Sequence, residues 1–570
     1  MDKKAIVYRP AFALLILIVG MFLFLNSACH TLPKKVSGQL KERMIRTASP
    51  TLSRVGEEPL YAAETLSRFY ARRSYNLAWS DEIGILPEAK ALIKSIHKSG
   101  SEGLNPEDYH LEAIEKTISR IREEWFNKKK RDPSLFADLD LLLTDAFLVY
   151  DSHLLSGRLN PETFDPAWVA HRDDTDHEEV LQKALHSRSI QKILMNHLPS
   201  YPGYRRLKGA LTEYRMIIRK GGWPELTPEV ELKNGVSDRA VGSLQSILTA
   251  TRDLLWHENE NNLFDDHIER ALHRFQQRHG LESSGMVDPA TLRALNCPPE
   301  QRLRQIQLNL ERWRWLPQEL GRRYIMINIP GFELYVIEDE RVLMTMRVIV
   351  GKPDRQTPVF SKNMSYLVLN PRWRVPKEVV IQDLLPKIRK DISYLPDRHF
   401  RVFQYLNGLS EEIDPTLINW AGVDENAFPY RLQQEPGPMN PLGRVKFIFP
   451  NRFSVYLHDT PSRELFKKMD RSLSAGCIRV EKPIELAEYI LRGDPKWTVE
   501  KIIEALEEGS EVHIQLRESI PVHILYWTAW VKEDGTLYFR DDIYGRDELL
   551  DNALKSRNCS RDIEKSEIPL

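Results

Sequence analysis

Two side chains able to do covalent chemistry stand 19 residues apart in the stretch LHDTPSRELFKKMDRSLSAGCIRVEKP: His458 and Cys477. Cys477 closes a run of small residues, Ser474-Ala475-Gly476, where the chain can turn sharply. His458 ends an alternating run, Phe453 to Leu457, that reads as a strand. A thiol attacks a carbonyl as thiolate, and at its ordinary pKa of about 8.5 it is mostly protonated at neutral pH, so a nucleophilic cysteine needs a base such as a nearby imidazole. Small residues before it would let a substrate backbone approach and free local N–H groups for an oxyanion. On these residues alone three roles stay open for Cys477: nucleophile paired with His458, buried apolar thiol, or half of a disulfide. Zinc is not indicated, because no CxxC or HxxxH partner lies nearby.

The elements that must position this pair come late in the chain. From Arg323 the periodicity is alternating: Arg323–Asn328 and Phe332–Ile337 predict strands joined by Pro330-Gly331, with further strands at Leu343–Val350, Met364–Leu369 and Val445–Phe449. A more helical, proline-interrupted stretch, about 377–434, is too long for a loop and predicts an inserted capping subdomain. Strands resume from Val512, with a turn at Asp534-Gly535, so the domain is placed at 323–554 with a polar tail at 555–570. Upstream, 59–227 is helical in pattern and carries no cluster of catalytic spacing, which predicts a scaffold. Residues 228–300 predict a small helical bundle: Ala271, Leu272, Phe275 and His279 share a helix face, Gly280 is a natural C-cap, and Asp288-Pro289 opens another helix. A linker helix carrying Leu308, Trp313 and Trp315 fills 301–322. The fold class expected is multidomain α+β.

At 570 residues several domains are required, and 42% apolar with 28% charged residues describes globular units. A net charge of −1 excludes a global pull towards nucleic acid, and the basic run 128–131 reads as a solvated helix end. Lys3, Lys4 and Arg9 precede an apolar run, Ala11 to Leu25, which matches an export signal. As a helix that run reaches about 22 Å, short of a hydrocarbon core of about 30 Å, so a signal peptide is favoured over a signal-anchor across 1–29. Leu25-Asn26-Ser27-Ala28-Cys29 is similar to a lipoprotein box that would lipidate Cys29, although Asn26 departs from it. Residues 30–58 look polar and patternless and are expected to be a tether. Without Cys29, the remaining Cys297, Cys477 and Cys559 cannot all pair within one exported chain.

His458-Asp459-Thr460 and, with fifteen residues between His458 and Ser474, the run Ser474-Ala475-Gly476-Cys477-Ile478-Arg479 resemble the catalytic signature of the YkuD-type L,D-transpeptidases, and Leu442 to Phe447 resembles the approach to it. The run RFQQRHGL with the later TLRALN is similar to the peptidoglycan-binding helical module. The layout of scaffold, binding module, capping insert and catalytic domain resembles the large Gram-negative members. Ala475 stands where many members carry a second histidine, and Val480 where smaller ones have asparagine.

The resemblance implies a periplasmic, membrane-tethered enzyme that makes 3→3 cross-links between stem tetrapeptides through a Cys477 thioester, releasing terminal D-alanine. In it His458 is the base, the backbone carbonyl of Asp459 orients the ring, and N–H groups around Gly476 and Cys477 hold the oxyanion. Arg479 would clamp a substrate carboxylate, or else pair with Glu481. Trp373 would wall the cleft or simply pack, and Ser474 would contact substrate. No cofactor or metal is implied. A D,D-carboxypeptidase is the expected supplier of tetrapeptide, and carbapenems are expected to acylate Cys477. The alternatives are an L,D-carboxypeptidase, an enzyme attaching protein to murein, and a non-catalytic peptidoglycan-binding scaffold.

Overall fold

The computed structural model describes residues 31–46, 54–81, 84–127, 131–170, 174–255, 262–406 and 409–556. The expected leader, with Cys29, and most of the tail, with Cys559, lie outside the described residues.

The region from Arg323 is built on a nine-stranded sheet: β1 (Arg323–Asn328), β2 (Glu333–Glu338), β3 (Arg341–Gly351), β4 (Phe360–Leu369), β5 (Val445–Ile448), β6 (Leu457–His458), β7 (Ser472–Ser474), β8 (Ile478–Val480) and β9 (Val512–Leu525). The strand order is β7-β3-β8-β6-β5-β4-β9-β1-β2, and β2 also pairs with β3. That last pairing closes the sheet into a barrel and leaves few free edges. Alternate residues point inward. Ile325, Ile327, Leu334, Val336, Leu457 and Ile478 are all fully buried in one core. The stretch from Val512 was expected to extend the end of the domain, but β9 is instead central, bonded to β4 on one side and β1 on the other.

The capping insert is not mainly helical. Strands Trp373–Arg374, Phe400–Leu406, Leu409–Ile413 and Tyr430–Gln434 form a four-stranded sheet with short helices packed on it. It has its own core, including Leu385, Val402, Trp420 and Leu432. Prolines and short helical turns hid strands whose partners lie up to tens of residues away.

The expected tether is corrected over most of its length. Thr31–Arg46 forms helix α1, and Arg54–Val55 pairs with Glu58–Pro59. Val36, Leu40 and Met44, spaced by four, are buried in the scaffold core. They pack with α2 (Pro133–Ser156), which is buried over most of its circumference, its Asp140, Asp145 and Asp151 carboxylates included. Helix α3 (Pro202–Arg219) completes the scaffold's contact with the rest. The small module holds α4 (Ala240–Ala250), α5 (Asp266–His279) and α6 (Pro289–Leu295), with Gly280 left-handed at the C-cap of α5 and the Asp288 carboxylate capping α6, as the sequence predicts.

Helix α7 (Pro299–Arg314), expected as a linker helix, is itself largely buried. Arg312 and Arg314 are buried on it, as are Leu308 and Leu310. Its Asn309 exchanges hydrogen bonds with Thr528. Glu311 accepts from the backbone of Leu159 in the scaffold at 3.3 Å. The hairpin Ala529–Val531/Leu537–Phe539 packs with α3 and α7 in a separate core.

Candidate active site

β6 and β8 run parallel, with Leu457 opposite Ile478 and His458 opposite Arg479. Since Leu457 and Ile478 face the barrel core, alternation turns Tyr456, His458, Cys477 and Arg479 to the outer face. β5 adds Lys446, which sits directly opposite His458 across the antiparallel pair. Five polar or reactive side chains thus share one patch.

His458 is buried, and its Nδ1 lies 2.6 Å from the Asp459 carbonyl oxygen. A carbonyl only accepts, so Nδ1 carries the proton and Nε2 presents a lone pair. Burial, and then the charge of Arg479, push the imidazole pKa down to about 3, against the hydrogen bond to Asp459. The ring is therefore neutral at physiological pH. The Asp459 carboxylate plays a different part and accepts from the Arg444 N–H at 2.8 Å and from Arg463 Nη1 at 3.2 Å. Gly443 is left-handed at φ 59°, and a Cβ there would come within 2.3 Å of that carboxylate. The acid thus fixes the turn that leads into β5.

Cys477 is free and half-buried. Its Sγ lies 3.9 Å from the Ser454 carbonyl oxygen. Burial raises its pKa, opposed by hydrogen bonds from the Tyr456 backbone and hydroxyl and by the charges of Lys446 and Arg479. Thiol and imidazole are both neutral at rest, so a proton must move when the sulfur attacks.

The turn before Cys477 is held by side-chain bonds. Gly476 has φ 111°, which an L side chain rarely adopts. Its N–H donates to Ser474 Oγ at 3.1 Å, and that hydroxyl donates to the Cys477 carbonyl at 2.5 Å. Thr357 Oγ1 donates to the Gly476 carbonyl at 2.8 Å. The Gly476 N–H and the Ser474 hydroxyl are thus both engaged within the turn.

Arg479 does not pair with Glu481, which is held by Arg347 instead at 2.9 Å. Arg479 Nε is buried with no hydrogen-bond partner. Trp373 belongs to the capping core, 6.1 Å from the Phe400 ring and paired across strands with Gln434. It is a packed aromatic of the cap.

Lys446 and Tyr456 were missed by the sequence reading. Lys446 Nζ sits 3.8 Å from the centre of the Tyr456 ring, and the Tyr456 and His458 rings are 5.7 Å apart. Lys446 makes no ion pair among the described residues, and burial lowers its pKa. The signal was present: Lys446 interrupts Val445-Phe447, and Tyr456 precedes Leu457-His458, at alternate positions of strands whose other residues are apolar. A charge on a strand next to a reactive pair is a candidate for that pair's face. Among the described residues, no group of three or more metal-ligating side chains is placed to hold an ion.

The sequence and the geometry can be set against known proteins. Residues 322–503 match the L,D-transpeptidase catalytic domain of YkuD type, 237–295 the family described as "Putative peptidoglycan binding domain", and 64–211 the scaffold domain. A curated protein of Haemophilus influenzae, "Putative L,D-transpeptidase", is 36% identical over 249 residues, which is 44% of this chain and 49% of that protein. The chain thus spans about half the length of the curated relative it matches. The crystal structure of an L,D-transpeptidase (Yku) from Stackebrandtia nassauensis aligns with 52% of this chain and 97% of its own at 12% identity and TM-score 0.21. Residues 123–326 of an L,D-transpeptidase from Xylanimonas cellulosilytica align over the same shares at 14% identity and TM-score 0.16. The family matches show a YkuD-type L,D-transpeptidase catalytic domain within this chain, together with a peptidoglycan-binding domain and a scaffold domain.

Proposed function

We propose that this chain is a murein L,D-transpeptidase that forms 3→3 cross-links through a thioester on Cys477. The observation that carries the reading is the placement of His458 and Cys477 on one face of adjacent parallel strands, with the His458 tautomer set by the Asp459 carbonyl. In the first step the Sγ proton passes to His458 Nε2 as sulfur bonds to the carbonyl carbon of the third stem residue. The C–N bond to the terminal D-alanine breaks, and His458 returns the proton to the departing amine. With the Gly476 N–H engaged, the Cys477 N–H is the local backbone donor left to the oxyanion from the pair the sequence named. An amine of a neighbouring stem then attacks the thioester and frees the thiol.

Lys446 and Arg479 flank the thiol as cations with no acid in hydrogen-bond contact among the described residues, which suits a donor peptide bearing free carboxylates. On this reading the protein works outside the cytoplasm, where peptidoglycan lies, with the apolar run Ala11 to Leu25 as export signal or tether and a D,D-carboxypeptidase as the supplier of tetrapeptide. No helix among the described residues is long and apolar enough to cross a membrane.

The test is intact-mass spectrometry of the chain with a tetrapeptide muropeptide, beside Cys477→Ala and His458→Ala. A cross-linked dimer with loss of D-alanine, absent in Cys477→Ala, is expected. Loss of D-alanine without dimer would make the protein a carboxypeptidase, and no product from folded protein would leave only a scaffold. Covalent addition of a carbapenem to Cys477 is expected in the same assay.

A further inference from the structure

A second arc of the barrel's outer surface does not look like a solvated sheet. An antiparallel sheet with one face on the core normally turns polar side chains outward. On β1 and β2 the residues alternating with core Ile325, Ile327, Leu334 and Val336 are Tyr324, Met326, Tyr335 and Ile337, and they sit opposite one another in register. β3 continues this face with Val342 and Thr345. It borders a cavity of about 810 Å³ whose far wall comes from the scaffold, α7 and the C-terminal hairpin, including Tyr201, Trp313, Trp527 and Trp530.

The rings of that wall are already fixed. Trp313 and Trp527 stack at 4.1 Å, and Tyr201 lies 5.5 Å from Trp313. Ordered aromatic platforms lose little freedom on binding. The rim is polar and acidic: Glu319, Glu340, Glu533 and Asp534 line the cavity and make no ion pair among the described residues. Its Arg322 and Lys532 are neutralised by Asp339 and Glu333, and Arg206, which donates to the Val531 carbonyl, is outnumbered by the four carboxylates. A phosphate or other polyanion would meet uncompensated carboxylates. A neutral sugar polymer would lay its C–H faces on the rings and donate hydroxyl and acetamido protons to the acids.

The cavity adjoins a second one of about 950 Å³, which shares Arg206, Val531 and Asp534 with it and reaches Arg274 and Gln277 on α5. That helix belongs to the peptidoglycan-binding domain.

We infer that this aromatic groove binds a glycan strand, an N-acetylated amino-sugar polymer, along a path running from the small module to the outer face of β1–β3. The choice of sugar rests on the peptidoglycan reading above, but binding needs no chemistry at Cys477. The experiment therefore titrates the full Cys477→Ala chain with the β-1,4-linked hexamer of N-acetylglucosamine, followed by calorimetry and tryptophan fluorescence. Saturable binding is expected. Removing one stacking ring by Tyr324→Ala should weaken it about tenfold. Thr345→Arg, on an exposed position of β3, should block it while circular dichroism and Tm stay unchanged.

No saturable binding, or the same Kd in both variants, would overturn the inference. So would an apolar peptide that occupies the groove and is not displaced by the hexamer, since that would make it a protein-docking face. A wild-type chain that binds the hexamer but leaves donor peptide unchanged would keep the groove and remove the catalytic reading. A chain that cross-links donor peptide without binding the hexamer would do the reverse.

Discussion

At Cys477 and His458 the charge state decides the kinetics. Burial raises the thiol and lowers the imidazole to about 3, so the resting pair is neutral rather than a thiolate–imidazolium ion pair. An ion pair would give a thiol-alkylation rate that levels off by neutral pH. A neutral pair gives one that keeps rising, because thiolate accumulates only as pH passes the raised thiol pKa. Iodoacetamide modification of Cys477, followed by mass, should therefore still be climbing at pH 9, and a plateau below pH 7 would sink the neutral assignment. Because His458 stays unprotonated down to about pH 3, it should contribute no acidic limb to the turnover profile between pH 5 and 7. Lys446 offers a second test at the same scale. If it and Arg479 hold donor carboxylates, Lys446→Met should raise KM about tenfold while kcat changes little, since a hydrogen bond to a charged group contributes about 1.5–3 kcal/mol. The reverse split, with kcat lost and KM kept, would make Lys446 a positioning residue for Cys477.

Among the elements, α1 is the one whose role changes most between sequence and structure. Val36, Leu40 and Met44 are fully or almost fully buried against the scaffold, and burying such side chains contributes about 1.5–3 kcal/mol each. Leu40→Ala should cost about 2–4 kcal/mol, read as a lower urea midpoint, and an unchanged midpoint would mean that the helix does not pack. The pattern was present in the sequence as apolar residues spaced by four, but Lys34, Lys35, Lys41 and Glu42 around them gave the segment a polar average. The small module was more legible, because Gly280 and Asp288-Pro289 are local signals that need no distant partner. So was the site itself, where a short spacing joined His458 and Cys477. The cap's strands and the central place of β9 were not, since both depend on partners far away in the chain. The bond between the Gly476 N–H and Ser474 Oγ was equally hidden, because a turn's residues do not reveal which of its donors are already engaged.

Across the whole molecule, α7 carries the coupling. Arg312 is almost fully buried, bonded to Asp547 and stacked 5.2 Å from the Tyr526 ring and 5.7 Å from that of Trp168. Those partners come from the C-terminal region, the end of the barrel and the scaffold, so one guanidinium joins three parts of the chain. Arg314 adds a bond to Glu311 at 2.9 Å and one to the Glu102 carbonyl in the scaffold. Removing one member of a buried pair costs more than the pair contributes, because the other charge stays desolvated. Asp547→Ala should therefore destabilise the chain by about 3–5 kcal/mol, whereas the double change Arg312→Met with Asp547→Leu should recover most of that loss. Calorimetry decides whether the coupling spans the molecule. With α7 joining scaffold and barrel, their unfolding should move together in Asp547→Ala, and a scaffold transition that stays in place while only the barrel shifts would show that the two fold as independent units.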